Sequence, residues 1–137
     1  MKTTLLFLML AAAVVSAESE ESNIRPRTLT LDQARSLARV AAESAGFSTK
    51  RGFSLEYGEL EEFPAFYYFS VLLPLEGAEG SSANYAVNKY TGEVWKPFRC
   101  RRVSSARLSK LRKKLLKEVG VSKEELRRHQ NDIPCLS

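Results

Sequence analysis

Two cysteines, Cys100 and Cys135, stand 35 residues apart near the C-terminal end of the chain, and there are no others. Joined, they would tie the last quarter of the chain back on itself; left as thiols, they would constrain nothing. Which of the two applies depends on the compartment, because disulfides persist in oxidising surroundings and are rare in the cytosol. The N-terminus bears on that question. Met1-Lys2 leads into an apolar run from Leu5 to Val15, which exits through Val15-Ser16-Ala17. One positive charge, eleven apolar residues and a small-residue exit match the three regions of a secretory signal. Cleavage is expected after Ala17, making Glu18 the first residue of a mature chain of about 120 residues. The run is shorter than the roughly 20 residues that span a bilayer. The polar, acidic residues directly after it argue against an uncleaved anchor, and no Cys follows to carry a lipid. In an exported chain, two cysteines with no matching His cluster make a poor zinc site and a natural disulfide. Closing a loop of this length is worth about 3–4 kcal/mol in the chain-entropy account.

The rest of the chain has a size typical of one domain. Residues Glu18 to Arg27 are polar and acidic and read as a flexible leader. Thr30 to Phe47 is predicted to be a helix. Thr30 with Gln33 forms a capping box, and Leu31, Ala34, Leu37, Ala38, Ala41, Ala42 and Ala45 recur at helical spacing. That face is mostly alanine, which lets a helix lie close to a sheet, and Gly46 is placed to end it. Strands are predicted over Phe53 to Leu60, Ala65 to Leu73, Ala83 to Tyr90 and Glu93 to Phe98. The second is the most apolar segment after the leader, bracketed by Pro64 and Pro74. Thr91-Gly92 supplies a tight turn between the last two, Gly92 taking the positive φ a hairpin needs. Leu75 to Ser82 is a Gly-, Glu- and Ser-rich loop. A second amphipathic helix is predicted over Ser105 to Val119, with Leu108, Leu111, Leu115, Leu116 and Val119 as its stripe and Gly120 as its stop. Ser122 with Glu125 opens a short helix to about His129.

The expected architecture is therefore α+β: a four-stranded antiparallel sheet, one long helix packed on it, and a helical C-terminal extension tethered by Cys100–Cys135. The expected divisions are 1–17 signal peptide, 18–28 leader, 29–99 α+β domain and 100–137 basic extension.

The helix opening Leu29 to Ala34 and the turn Tyr85, Val87, Thr91, Gly92, Glu93 and Val94 together resemble the PepSY domain, a module of exported bacterial proteins and of some metallopeptidase propeptides. The resemblance covers roughly Leu29 to Trp95 and implies a non-catalytic binding role, as inhibitor or modulator of a peptidase. The basic tail lies outside it. A second resemblance rests on the hairpin Val87 to Trp95, which is similar to those of some periplasmic immunity proteins. It implies a toxin as partner.

The chemistry of the side chains points away from catalysis. His129, the only histidine, sits in a polar stretch beside Arg127 and Arg128 and reads as a solvent-facing residue complementing a helix dipole. Glu56, Glu59, Glu61 and Glu62 flank a turn, where water keeps carboxylates ordinary, and they read as a solubilising edge. The loop from Gly77 to Ser82 lacks the spacing and the Lys of a phosphate-binding loop. No cofactor and no metal are expected.

Charge is the unusual feature. The whole chain carries +5 at pH 7, yet Lys96 to Lys117 holds ten Lys or Arg and no Asp or Glu. This gives a candidate basic binding patch of Arg101, Arg102, Arg107, Lys110, Arg112, Lys113, Lys114 and Lys117, suited to an acidic protein or an anionic surface. For an exported chain, nucleic acid is not expected. A Leu-striped helix also needs a charged outer face, so the run has a purely structural reading as well. Rings at Tyr67, Tyr85 and Trp95 are the candidate aromatic contacts for a partner, unless the C-terminal helix covers them.

Overall fold

A computed structural model describes residues 27–47, 52–74 and 83–137. The expected signal peptide and its cleavage site, nearly all of the leader, and the loop 75–82 lie outside the described residues.

The first helix, α1 (Leu31–Ser44), starts on the expected capping box: the Thr30 hydroxyl accepts from the Gln33 amide and the Gln33 side chain accepts from the Thr30 amide. It stops three residues short of Phe47. Gly46 takes φ +101°, and the Phe47 and Gly46 amides donate back to the carbonyls of Ala42 and Glu43, the paired bonds of a Schellman ending. The alanine face is the packing face, with Ala34, Leu37, Ala38, Ala41 and Ala42 fully buried.

The sheet is an antiparallel meander of five strands in chain order: β1 (Ser54–Glu59), β2 (Phe66–Leu72), β3 (Ala83–Asn88), β4 (Val94–Lys96) and β5 (Arg101–Arg102). Four strands were expected, and the fourth was expected to run on to Phe98. Pro97 cuts it short. Its ring fixes φ and removes a ladder donor, and Pro97–Arg99 winds into a 3₁₀ turn instead. The chain then reverses through Cys100 and pairs Arg101 and Arg102 with Lys96 and Trp95 as β5. The Val103 amide extends this ladder to the Val94 carbonyl.

Strand register decides which rings are inside. Directly opposed residues share a face. Tyr57 faces Phe69, Phe69 faces Tyr85, and Tyr67 faces Val87, which faces Val94. This face receives α1. Trp95 opposes Ala86, which opposes Tyr68, so Trp95 lies on the other face, away from Tyr85.

The second long helix, α2 (Ala106–Val119), is capped by the Ser105 hydroxyl and ended by Gly120 at φ +73°. It runs antiparallel to α1: Arg107 near its start pairs with Glu43 near the end of α1. Leu108 and Leu115 enter the same core as Leu37, Phe69, Tyr85, Val87 and Val94. The short α3 (Lys123–His129) is capped by Ser122. The tail beyond it returns to Pro97, where the Leu136 amide donates to the Pro97 carbonyl, and Cys135 is joined to Cys100. Among the described residues no helix is long and apolar enough to cross a membrane.

Tyr85 is wholly buried, and its hydroxyl finds no hydrogen-bond partner among the described residues. Burial raises its pKa above the ordinary value near 10, as it does for Tyr67. The folded state therefore holds a neutral phenol where the unfolded chain would ionise. The associated stability is present below about pH 10 and is lost as pH rises beyond it. Tyr85→Phe removes an unsatisfied group from the core, so its thermal midpoint should equal or exceed that of the parent at neutral pH. Its stability should also fall less steeply above pH 10. A drop of more than a few degrees at pH 7 in a calorimetric scan would contradict this account.

Candidate functional site

The turn between β3 and β4 organises the region where the candidate residues gather. Asn88 is fully buried. Its side-chain oxygen accepts from the amides of Tyr90 and Thr91 at 2.9 and 3.1 Å, and the Thr91 hydroxyl accepts from the Glu93 amide. Gly92 sits at φ +69° under both long helices. A Cβ there would meet Arg112 Cγ at 2.8 Å and Leu29 and Leu37 within 3.4 Å, so only glycine fits on both conformational and packing grounds.

Glu93 follows, 9% exposed. Its Oε1 lies 3.2 Å from the Arg102 guanidinium and 4.0 Å from that of Arg112. A nearly buried carboxylate held by two arginines ties β5 and α2 to the hairpin. A cleft of about 300 Å³, lined by Glu93, Arg102, Ser105, Ser109 and Arg112, opens beside it.

This divides the basic run in two. Arg102 and Arg112 are spent on Glu93, and Arg107 on Glu43. The other five members of the expected patch, Arg101, Lys110, Lys113, Lys114 and Lys117, are exposed and form no ion pair among the described residues. The four lysines recur at i, i+3, i+4 and i+7 and so form a stripe on one side of α2. Arg101 stands apart from them, on β5.

The three aromatic candidates separate as well. Tyr85 is inside the core, so the expectation that it touches a partner is corrected: alternation along β3 turns it under α1. Tyr67 is half-buried, and its hydroxyl donates to the Leu29 carbonyl at 2.9 Å while Lys89 sits 4.8 Å above its ring. It pins the segment that enters α1. Trp95 is half-buried on the other sheet face and lines a groove with Arg99, Arg101, Arg102 and Ile133 of the returning tail.

His129 is not the solvent-facing residue its neighbours suggested. Its ring stacks on Tyr90 at 3.7 Å and 4°. Nδ1 lies 2.7 Å from Asp132 and Nε2 lies 3.5 Å from Glu125. Its carbonyl also accepts from the buried Asn88 amide, at 3.4 Å. The ring thus staples α3 to the hairpin turn. The glutamates at 56, 59, 61 and 62 are exposed along the β1 edge and its turn, as expected. Among the described residues no group of His, Cys, Asp or Glu is arranged to hold a metal.

Two residues absent from the sequence-derived candidates matter here. Glu93 has a sequence signal, being the lone acid between Glu79 and Glu118 and standing just ahead of the basic run. Phe98, 56% exposed on the 3₁₀ turn, falls within the stretch whose pattern predicts a strand, so its exposure has no sequence signal.

The division of the basic run is testable. Glu93→Ala leaves two guanidiniums without their carboxylate and should cost about 1–3 kcal/mol in urea unfolding, less than a fully buried pair because both arginines are partly exposed. Lys113→Ala with Lys114→Ala should stay within about 0.5 kcal/mol. Equal costs for the two variants would refute the division.

No protein-family model matches the chain, and no curated protein matches it, so the resemblance to the PepSY module rests on the quoted residues alone. Among solved structures, the chain is similar to one in the structure of a type VI secretion system effector–immunity complex from Pseudomonas protegens. The likeness has a TM-score of 0.63 and 22% sequence identity, and covers 85% of this chain and 97% of that one. It establishes a shared fold over most of both chains.

Proposed function

We propose that the chain is an immunity-type binding protein that neutralises a toxin by holding it, outside the cytoplasm. The observation that carries this is the near end-to-end likeness to a chain of an effector–immunity complex. The alternative of an inhibitor or modulator of a peptidase draws on half of the chain, whereas this likeness covers 85% of it. The architecture suits the role. The only histidine is engaged as a staple, and both cysteines are consumed in a disulfide. What remains free is surface: a lysine stripe on α2, and a basic, partly aromatic end around β4, β5 and the tail. A fold that is rigid and offers preformed contacts loses little entropy on binding. The signal-like N-terminus and the disulfide both agree with action in the periplasm.

The test is competition between sister cells. A strain lacking this chain should be killed by its type VI-competent parent and spared by a parent whose secretion apparatus is inactive. Supplying the chain with its signal peptide should restore survival, and supplying it without residues 1–17 should not. Equal survival of the deleted strain against both parents would remove the proposal.

A further inference from the structure

Three large hydrophobic residues are exposed among the described residues: Tyr57, Phe98 and Ile133. Phe98 is the most exposed of them. It is the middle residue of the Pro97–Arg99 turn, and Pro97 before it is buried. The Pro97 carbonyl accepts from the Cys100 amide at 3.3 Å and the Leu136 amide at 2.9 Å. Cys100, bonded to Cys135, reverses the chain at φ +50°, an uncommon conformation for a residue other than glycine. The turn is thus a knuckle held from both sides, with its aromatic ring pointing into solvent. Scattered surface hydrophobics need no explanation, but a ring carried on a disulfide-pinned turn spares binding the cost of ordering the backbone beneath it.

The surroundings are basic. On one flank a cleft of about 360 Å³ is lined by Phe47, Tyr85, Lys96, Phe98 and Arg99. On the other lies the groove of Trp95, Arg101, Arg102 and Ile133, which Arg99 also lines. Lys96, Arg99 and Arg101 form no ion pair among the described residues, and Arg102 faces Glu93. The knuckle therefore presents an apolar centre with a positive rim, uncompensated among the described residues. Its complement is an apolar pocket rimmed by carboxylates, on an acidic protein.

Resting on the binding reading above, we propose that Pro97–Arg101 is the surface by which the chain grips its protein partner. Phe98 is seated in an apolar pocket of that partner, and Lys96, Arg99 and Arg101 face its Asp and Glu side chains. The lysine stripe on α2 is peripheral to this contact. A buried aromatic anchor inside a charged rim is the usual make-up of a binding hot spot.

Two measurements test this separately from the toxin reading. In the first, a displayed library of random peptides is selected on the purified, oxidised chain. The selected peptides should combine an apolar residue with several Asp or Glu. They should lose at least about 30-fold in affinity towards Phe98→Ala and towards the pair Arg99→Glu and Arg101→Glu, and keep it towards Lys113→Glu with Lys114→Glu. All three variants should melt within a few degrees of the parent, since the altered residues are exposed. Peptides indifferent to the knuckle variants would overturn the proposal. So would retention on phosphatidylglycerol vesicles lost in those same variants while no acidic peptide is selected, which would assign the knuckle to a lipid surface. In the second measurement, the same variants replace the parent in the sister-cell competition, where Phe98→Ala should fail to protect. Protection by the parent and by Phe98→Ala alike would overturn the knuckle and leave the toxin reading standing. Knuckle-dependent peptide binding without any protection would do the reverse.

Discussion

The buried amide of Asn88 is the constraint around which this molecule is arranged. A fully buried polar side chain is costly unless its hydrogen bonds are made. Asn88 makes them in two directions. Its oxygen closes the 90–91 end of its own turn, and its nitrogen reaches 41 residues along the chain to the His129 carbonyl. The first set shapes the hairpin; the second recruits α3. Around the same turn the Leu29 amide donates to the Lys89 carbonyl and the Lys89 amide to the Ala65 carbonyl. The entry to α1, the start of β2 and the end of α3 thus converge on one six-residue loop.

That convergence explains why the loop tolerates so little. At Gly92 the turn lies against side chains of both long helices, and any side chain there would push on Arg112, Leu29 and Leu37 together. Glu93, next in line, carries the charge that holds Arg102 and Arg112. A basic helix such as α2 would otherwise meet a basic strand, β5, at the same edge, and like charges at close range destabilise. One carboxylate between two guanidiniums turns that repulsion into a clamp. The tail is then held at both ends: at this loop by the stack of His129 on Tyr90 and the bond from Asn88, and at the far end of β4 by the disulfide and the bond from Leu136 to Pro97.

Much of this fold is legible in the sequence because its elements follow their periodicities closely. The capping box at Thr30, the alanine face of α1, the leucines of α2 and the glycine at position 92 each act as their local chemistry dictates. The failures have physical causes. β5 is two arginines long, too short to show alternation, and is created by pairing across a turn that Pro97 forces. The placement of Trp95 depends on register, which pairing fixes and composition does not. Tyr85 looked like a contact because rings serve both cores and interfaces, and only the arrival of α1 decides between them. At the site, the basic run is plainly visible as a string of charges. Its division into paired and free members is not, since Glu43 and Glu93 lie 64 and as few as nine residues from their partners.

That division bears on how the surface can work. A charge already paired cannot be offered to a partner without unpairing what it holds, so Arg102, Arg107 and Arg112 are poor candidates for recognition despite their place in the run. The free cations are of two kinds. Those on α2 are lysines on flexible stems, screened by salt and costly to order. Such a stripe can steer an acidic partner from a distance but specifies little. Arg99 and Arg101 differ because the backbone between them is locked by Cys100, and Phe98 stands beside them on the same pinned turn. Long-range attraction and short-range fit thus fall to different elements. The disulfide does more than stabilise the tail: it pins the backbone of the turn that carries the exposed Phe98 among Lys96, Arg99 and Arg101.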